Sequence, residues 1–127
     1  MSIHLELADR IEEGFGEHLE RPVELRLDAL LVHLDNGASL EARVADSHAY
    51  AITWIWGEAE LRIDTAPVHA GLPTFPNHFH AADGALHGDP LTRPGDAPWE
   101  NLRRVITTIL TDPLLETLLP AAGGTSR

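Results

Sequence analysis

The sequence predicts an α+β fold: an antiparallel meander of four to five strands, flanked by an N-terminal and a C-terminal helix on one face. Three observations predict it. Apolar residues recur at helical spacing near both ends of the chain. Between those ends they alternate with polar residues in several short runs. Turn-forming pairs separate the runs. With 127 residues the chain suits one domain around one core. That domain is placed at residues 1–120, and the stretch AAGGTSR at 121–127 is a tail expected to fray.

The first helix rests on Leu7, Ile11, Phe15 and Leu19, which recur every four residues with Ala8 beside them. Asp9, Glu12, Glu13 and Glu17 fall outside that stripe, and Gly14 and Gly16 weaken its second half. Pro22 stops it, because proline disfavours helix for the residue before it. Val23, Leu25 and Leu27 then alternate with Glu24, Arg26 and Asp28, the period-two mark of a half-buried strand. Leu30, Val32 and Leu34 take the opposite parity, so a bulge or bend is expected near Ala29. Asn36-Gly37 is a hairpin signal, since both residues tolerate positive φ.

Leu40, Ala42 and Val44 form the next alternating run, and the segment around Ser47 and His48 makes a second turn. Tyr50, Ile52, Trp54 and Trp56 share one face of the following strand, which Gly57-Glu58 breaks or bends. Ala59, Leu61 and Ile63 continue on one parity and Glu60, Arg62 and Asp64 on the other. Pro67, Pro73 and Pro76 mark a loop, since proline cannot donate to a sheet ladder. His78 to Ala81 suits one more strand, with a turn at Asp83-Gly84. In the late helix, Leu102, Val105, Ile106, Ile109 and Leu110 keep strict helical spacing. Pro98 suits its first turn, Asp112-Pro113 ends it, and Leu114, Leu115, Leu118 and Leu119 add a short apolar turn.

Composition narrows the partners. Twenty acids against nine bases give a formal net charge of -11, and every base is an arginine. That balance opposes strong non-specific binding to nucleic acid, which needs cations to displace phosphate counterions. It also opposes an anionic membrane surface. The acids serve either as a solubilising surface, as in a salt-adapted protein, or as the complement of a basic partner. No apolar run approaches the roughly 20 residues of a membrane span. The acidic N-terminus lacks the layout of a secretion signal, and cysteine is absent, so a cytoplasmic protein is expected.

The sharpest local feature is His78-Phe79-His80. Residues i and i+2 of a strand point to the same face, about 7 Å apart. Two imidazoles so placed can share a divalent metal ion or flank a substrate phosphate, and His69 or Asp64 could supply a further ligand. The plain alternative is two half-exposed histidines on a strand edge. Arg62 and Asp64 also share a face. Arg62 could hold a phosphate with its planar fork and Asp64 could orient a histidine, or the two could simply face solvent. GxSxG, the P-loop and GxGxxG are all missing. Tyr50, Trp54 and Trp56 suit a core beneath a helix better than a base-stacking platform. Arg103-Arg104 falls on the polar face of the late helix.

The stretch YAITWIWGEAELRIDTAPVHAGLPTFPNHFHAADG resembles the TumE-type toxins of bacterial and archaeal toxin–antitoxin systems. The pattern there is an aromatic strand, an arginine–aspartate strand leading into an Asp-Asn-Ala-Pro-His-like turn, a short proline-containing loop and a His-x-His run. Arg62, Asp64, Ala66-Pro67, His69, Pro76, His78 and His80 occupy the matching places, over about a quarter of the chain. Thr65 stands where the family often has asparagine. The resemblance implies a toxin-like component neutralised by a cognate antitoxin. A small ribonuclease is the activity inferred from it, with RNA as a candidate partner and a homo-oligomer as a candidate assembly. The candidate catalytic residues are His78 and His80 as acid and base, Asp64 to orient an imidazole and Arg62 to stabilise phosphate charge. His69 is secondary, and His69, His78 and His80 are the candidate metal ligands. The alternative is a non-catalytic binding module or a metal-binding protein in which the same residues order a loop.

Overall fold

The computed structural model describes residues 2–119. Helix α1 spans Ile3–Phe15 and passes through a short 3-10 turn, Gly16–His18. Seven strands follow: β1 Glu24–Arg26, β2 Ala29–His33, β3 Ser39–Asp46, β4 Ala49–Trp56, β5 Ala59–Asp64, β6 His78–His80 and β7 Leu86–Gly88. Helix α2, Pro98–Thr111, comes last. The strands form one sheet in sequence order, and every neighbouring pair is antiparallel. The expected α+β meander with a helix at each end is therefore present. The expected tail at 121–127 lies outside the described residues. No helix among those residues is long and apolar enough to cross a membrane.

The strand count exceeds the expected four to five. Leu27 and Asp28 form a turn rather than a bulged continuation, so the first alternating run splits into β1 and β2. Strand β7 has three residues, too few for alternation to show in the sequence. The half-buried strand expected over Val23, Leu25 and Leu27 also fails. Leu25 pairs with Leu30 but sits at the sheet edge, 48% exposed, and Leu27 lies fully exposed in the turn.

The remaining alternation sorts the sheet into two faces. Leu30, Ala42, Ile52, Ile63 and Phe79 lie in register across five strands, and Val32, Leu40, Trp54 and Leu61 form the row beside them. All are buried in one cluster with Leu7 and Ile11 of α1 and Leu102, Val105, Ile106 and Ile109 of α2. Burying each such Leu or Ile side chain contributes about 1.5–3 kcal/mol, so this row structure dominates the stability. Ser2 caps α1 by accepting from the Leu5 N–H at 3.1 Å. Asn36 closes its hairpin on the Ala38 N–H and donates to the Ile109 carbonyl, tying the turn to the end of α2. Trp54 stacks on Phe79 and donates its indole N–H to the Pro113 carbonyl at 2.7 Å. It is core, as expected. Trp56, at the strand end, is partly exposed and donates to the Asn36 carbonyl.

Candidate functional site

The residues opposite that core carry the chemistry. Phe79 points inward against Ile63, so its neighbours His78 and His80 project to the outer face. Register then places Asp64 beside His78, and Arg62 beside His80. On the other side of β5, Asp64 meets Ala51 and Arg62 meets Thr53. These small neighbours leave room above the sheet, and Arg62 uses it to donate to the Thr53 hydroxyl at 3.2 Å.

The proline-rich loop at 65–77 then folds back over this face. Gly88, paired with His78, is what lets it come close: a Cβ at Gly88 would meet Pro73 and Thr74 at 3.3 Å. The loop is stitched down at several points. Thr74 Oγ1 donates to the Asn77 carbonyl and accepts from the Asp89 N–H. Asn77 is buried and donates to Asp89 and to the Thr92 carbonyl. Thr92 in turn contacts both Asp89 and the Tyr50 hydroxyl. A cavity of about 570 Å³, lined in part by Pro76, Asn77, Arg93 and Arg104, borders the loop's last residues. Thr65, where the family pattern has asparagine, exchanges bonds with the Tyr50 backbone and so extends the sheet ladder by one residue.

The folded loop delivers His69 to the strand histidines. Its ring centroid lies 4.7 Å from that of His78 and 6.1 Å from that of His80, and His78 and His80 are 4.9 Å apart. One donor nitrogen from each ring lies within 4.8 Å of the others. His69 and His80 are partly exposed, but His78 is only 1% exposed. The plain alternative of two half-exposed histidines on a strand edge therefore does not describe this pair, because His78 is covered and His80 is not.

Asp64 organises the cluster. Its Oδ2 accepts from Arg62 Nε at 2.7 Å, and its Oδ1 accepts from the Ala66 N–H at 3.0 Å and lies 3.0 Å from His78 Nε2. The bond to Ala66 is an Asx turn, which starts the loop in the right direction. Burial alone would raise the Asp64 pKa. The Arg62 and Ala66 hydrogen bonds and the charges of His78 and Arg62 outweigh it, and hold the carboxyl below its ordinary range. His80 is held below the ordinary imidazole range, first by burial and then by the charges of His78, His69 and Arg62, against the opposing pull of Asp64. That shift favours the neutral ring, which keeps a lone pair for a proton or a cation.

All five sequence candidates, Arg62, Asp64, His69, His78 and His80, thus meet in one place. Two contributors carried no sequence signal. The Pro76 carbonyl faces His78 Nδ1 at 3.2 Å, and the Ala66 N–H holds Asp64. Backbone groups have no residue type to betray them. Elsewhere most arginines are already answered: Arg21, Arg26, Arg43, Arg103 and Arg104 each pair with a carboxylate, so Arg103-Arg104 is no free basic patch.

No curated protein and no solved structure matches the chain. A family model described as "Toxin TumE" does match, over residues 7–116, from the first helix to beyond the last and through the whole histidine site. The chain belongs to the TumE toxin family.

Proposed function

We propose that this chain is the toxin of a type II toxin–antitoxin pair and that it cleaves RNA in the cytoplasm at the His69–His78–His80 cluster. The observation behind it is the convergence of three imidazoles on the open face of the sheet, next to an arginine held in place by Asp64. Phosphodiester cleavage needs a lone pair to activate the attacking oxygen and a cation at the phosphate. His69 and His80 are the imidazoles that reach solvent, and the lowered pKa of His80 favours its neutral form. The Arg62 side chain is 46% exposed, so it can meet a phosphate while keeping its Nε bond to Asp64. His78 is the buried member, fixed by Asp64 and Pro76. Two routes lead from these lone pairs to cleavage: direct proton removal, or action through a bound cation.

The acidic surface fits a target gripped by few contacts. Each phosphate neutralised contributes about -0.7 to the slope of log K against log salt for single strands. With Arg62 as the main phosphate contact, the slope should stay near -1, far shallower than for a basic RNA-binding protein.

The test has two parts. Inducing the protein should arrest growth, and co-expressing the product of an adjacent gene should relieve the arrest. Purified protein should cut single-stranded RNA, and His80→Ala should slow the cutting by about 10²–10⁴-fold. Growth arrest with intact RNA would rule out cleavage and favour the binding-module alternative. No arrest at any induction level would remove the toxin role.

A further inference from the structure

The hydrogen-bond partners of His78 carry a further conclusion. Its Nδ1 faces the Pro76 carbonyl at 3.2 Å and its Nε2 faces Asp64 at 3.0 Å. Both partners are acceptors: the Pro76 oxygen is a carbonyl, and the two Asp64 oxygens already accept from Arg62 Nε and the Ala66 N–H. A neutral imidazole has one proton, so one of its nitrogens would aim a lone pair at an acceptor oxygen. The arrangement is satisfied only when an additional positive charge resides on the ring or beside it. An imidazolium proton is one way to supply it. The rings of His69 and His80 stand on the same side and point to another.

We propose that His69, His78 and His80 bind one divalent transition-metal ion of the zinc class, which clasps the proline-rich loop to the sheet. Three neutral imidazoles are a donor set suited to zinc, cobalt, nickel or copper rather than magnesium or calcium. Their donor atoms already lie within 4.8 Å of one another. Whichever nitrogen of His78 turns to the metal, the other keeps an acceptor for its proton, Asp64 or the Pro76 carbonyl. That is the outer partner that metal-bound histidines regularly have. Three protein ligands leave a coordination position open, as in catalytic rather than structural zinc sites. His69, His80 and Arg62 all reach the surface, so solvent and substrate have access to an ion held there. There the ion would bind a water or a substrate oxygen and lower its pKa. This use of the metal rests on the function proposed above; the binding itself does not.

The experiment uses the full chain without an affinity tag of histidines, stripped with chelator and titrated with zinc by calorimetry and with cobalt by visible absorption. Binding of one ion per chain is expected, with a cobalt spectrum of low-symmetry nitrogen coordination. His78 is buried, so variants at the two partly exposed histidines decide the matter. His69→Ala and His80→Ala should each weaken binding by more than tenfold, and Asp64→Asn by about 10–100-fold, the effect of losing an outer partner. His48→Ala, on an exposed turn away from the cluster, should bind as wild type does. Zinc should also raise the unfolding midpoint of wild type but not of His69→Ala. The proposal is overturned if the folded protein binds no stoichiometric ion, or if His69→Ala binds as tightly as wild type. A protein that arrests growth and cuts RNA in chelator overturns the catalytic use of the metal and leaves the binding to the titrations. One that binds zinc through these residues but harms no cell supports the metal and overturns the toxin reading alone.

Discussion

Strands β5 and β6 have two faces that do different work. Inward, Ile63 and Phe79 are fully buried in an apolar cluster that includes both helices. Outward, one residue along, Arg62, Asp64, His78 and His80 sit in the same register under a loop rather than a helix. The inner face is held by area, which is non-directional and tolerates exchange of one apolar residue for another of similar volume. The outer face is held by a few directed bonds centred on Asp64, so its order depends on particular atoms. A helix would have sealed the outer face. A loop opened by Pro67 and pinned at Asn77 covers His78 yet leaves His69 and His80 in reach of solvent.

Substitutions should separate the two faces. The largest effect belongs to the inner one. Phe79→Ala removes the ring stacked on Trp54 and should cost about 3–5 kcal/mol, read as a lower denaturation midpoint. If Phe79→Ala were nearly neutral, the row of buried residues would not be the source of stability. Next comes the packing of the loop on the outer face. Gly88→Val would push into Pro73 and Thr74, costing about 1–3 kcal/mol. It should also loosen His69, so RNA cleavage should fall by more than the stability loss accounts for. Asp64→Ala should cost about 2 kcal/mol, since it strands His78 while Arg62 can rehydrate. It should also flatten the acid limb of the stability profile. The Asp64 pKa is lower folded than unfolded, so its contribution is full above the unfolded value and is lost as pH falls.

Tyr50 gives a smaller and opposite pH effect. Burial pushes its pKa up to about 12, against the Thr92 hydrogen bond that opposes the rise. A raised folded pKa means stability that is present below the unfolded value of 10.0 and lost as pH climbs through about 12. It is the sole tyrosine, so an ultraviolet titration reads it directly. A midpoint near the unfolded value would show that Tyr50 is not buried as described. At the small end, Arg103→Ala breaks only the exposed pair with Glu100 and should leave the denaturation midpoint at the wild-type value.

How much of this was legible in the sequence depended on whether a pattern repeats. Alternation gave β3, β4 and β5, and the 3.6-residue period gave both helices, because each pattern recurs several times. It misled at Leu25 and Leu27, where alternation continues but no helix covers the edge. It was silent at β7, where three residues make no period. The candidate site was legible as a set of residue types, since Arg62, Asp64, His78 and His80 share a parity. That His78 is sealed and His69 open could not be read there. Both follow from the path of the loop, and that path depends on Gly88 and on the Asp89 and Thr92 groups that hold Asn77, which lie far along the chain from His69.

The claim that the outer face is the working face meets its most direct test in a double variant, His69→Ala/His80→Ala, assayed for RNA cleavage and growth arrest beside its denaturation midpoint. Both side chains are partly exposed and neither belongs to the apolar cluster, so the midpoint measured in chelator should match wild type. Cleavage and growth arrest should both be lost. A folded double variant that still cuts RNA and arrests growth as wild type does would contradict the claim.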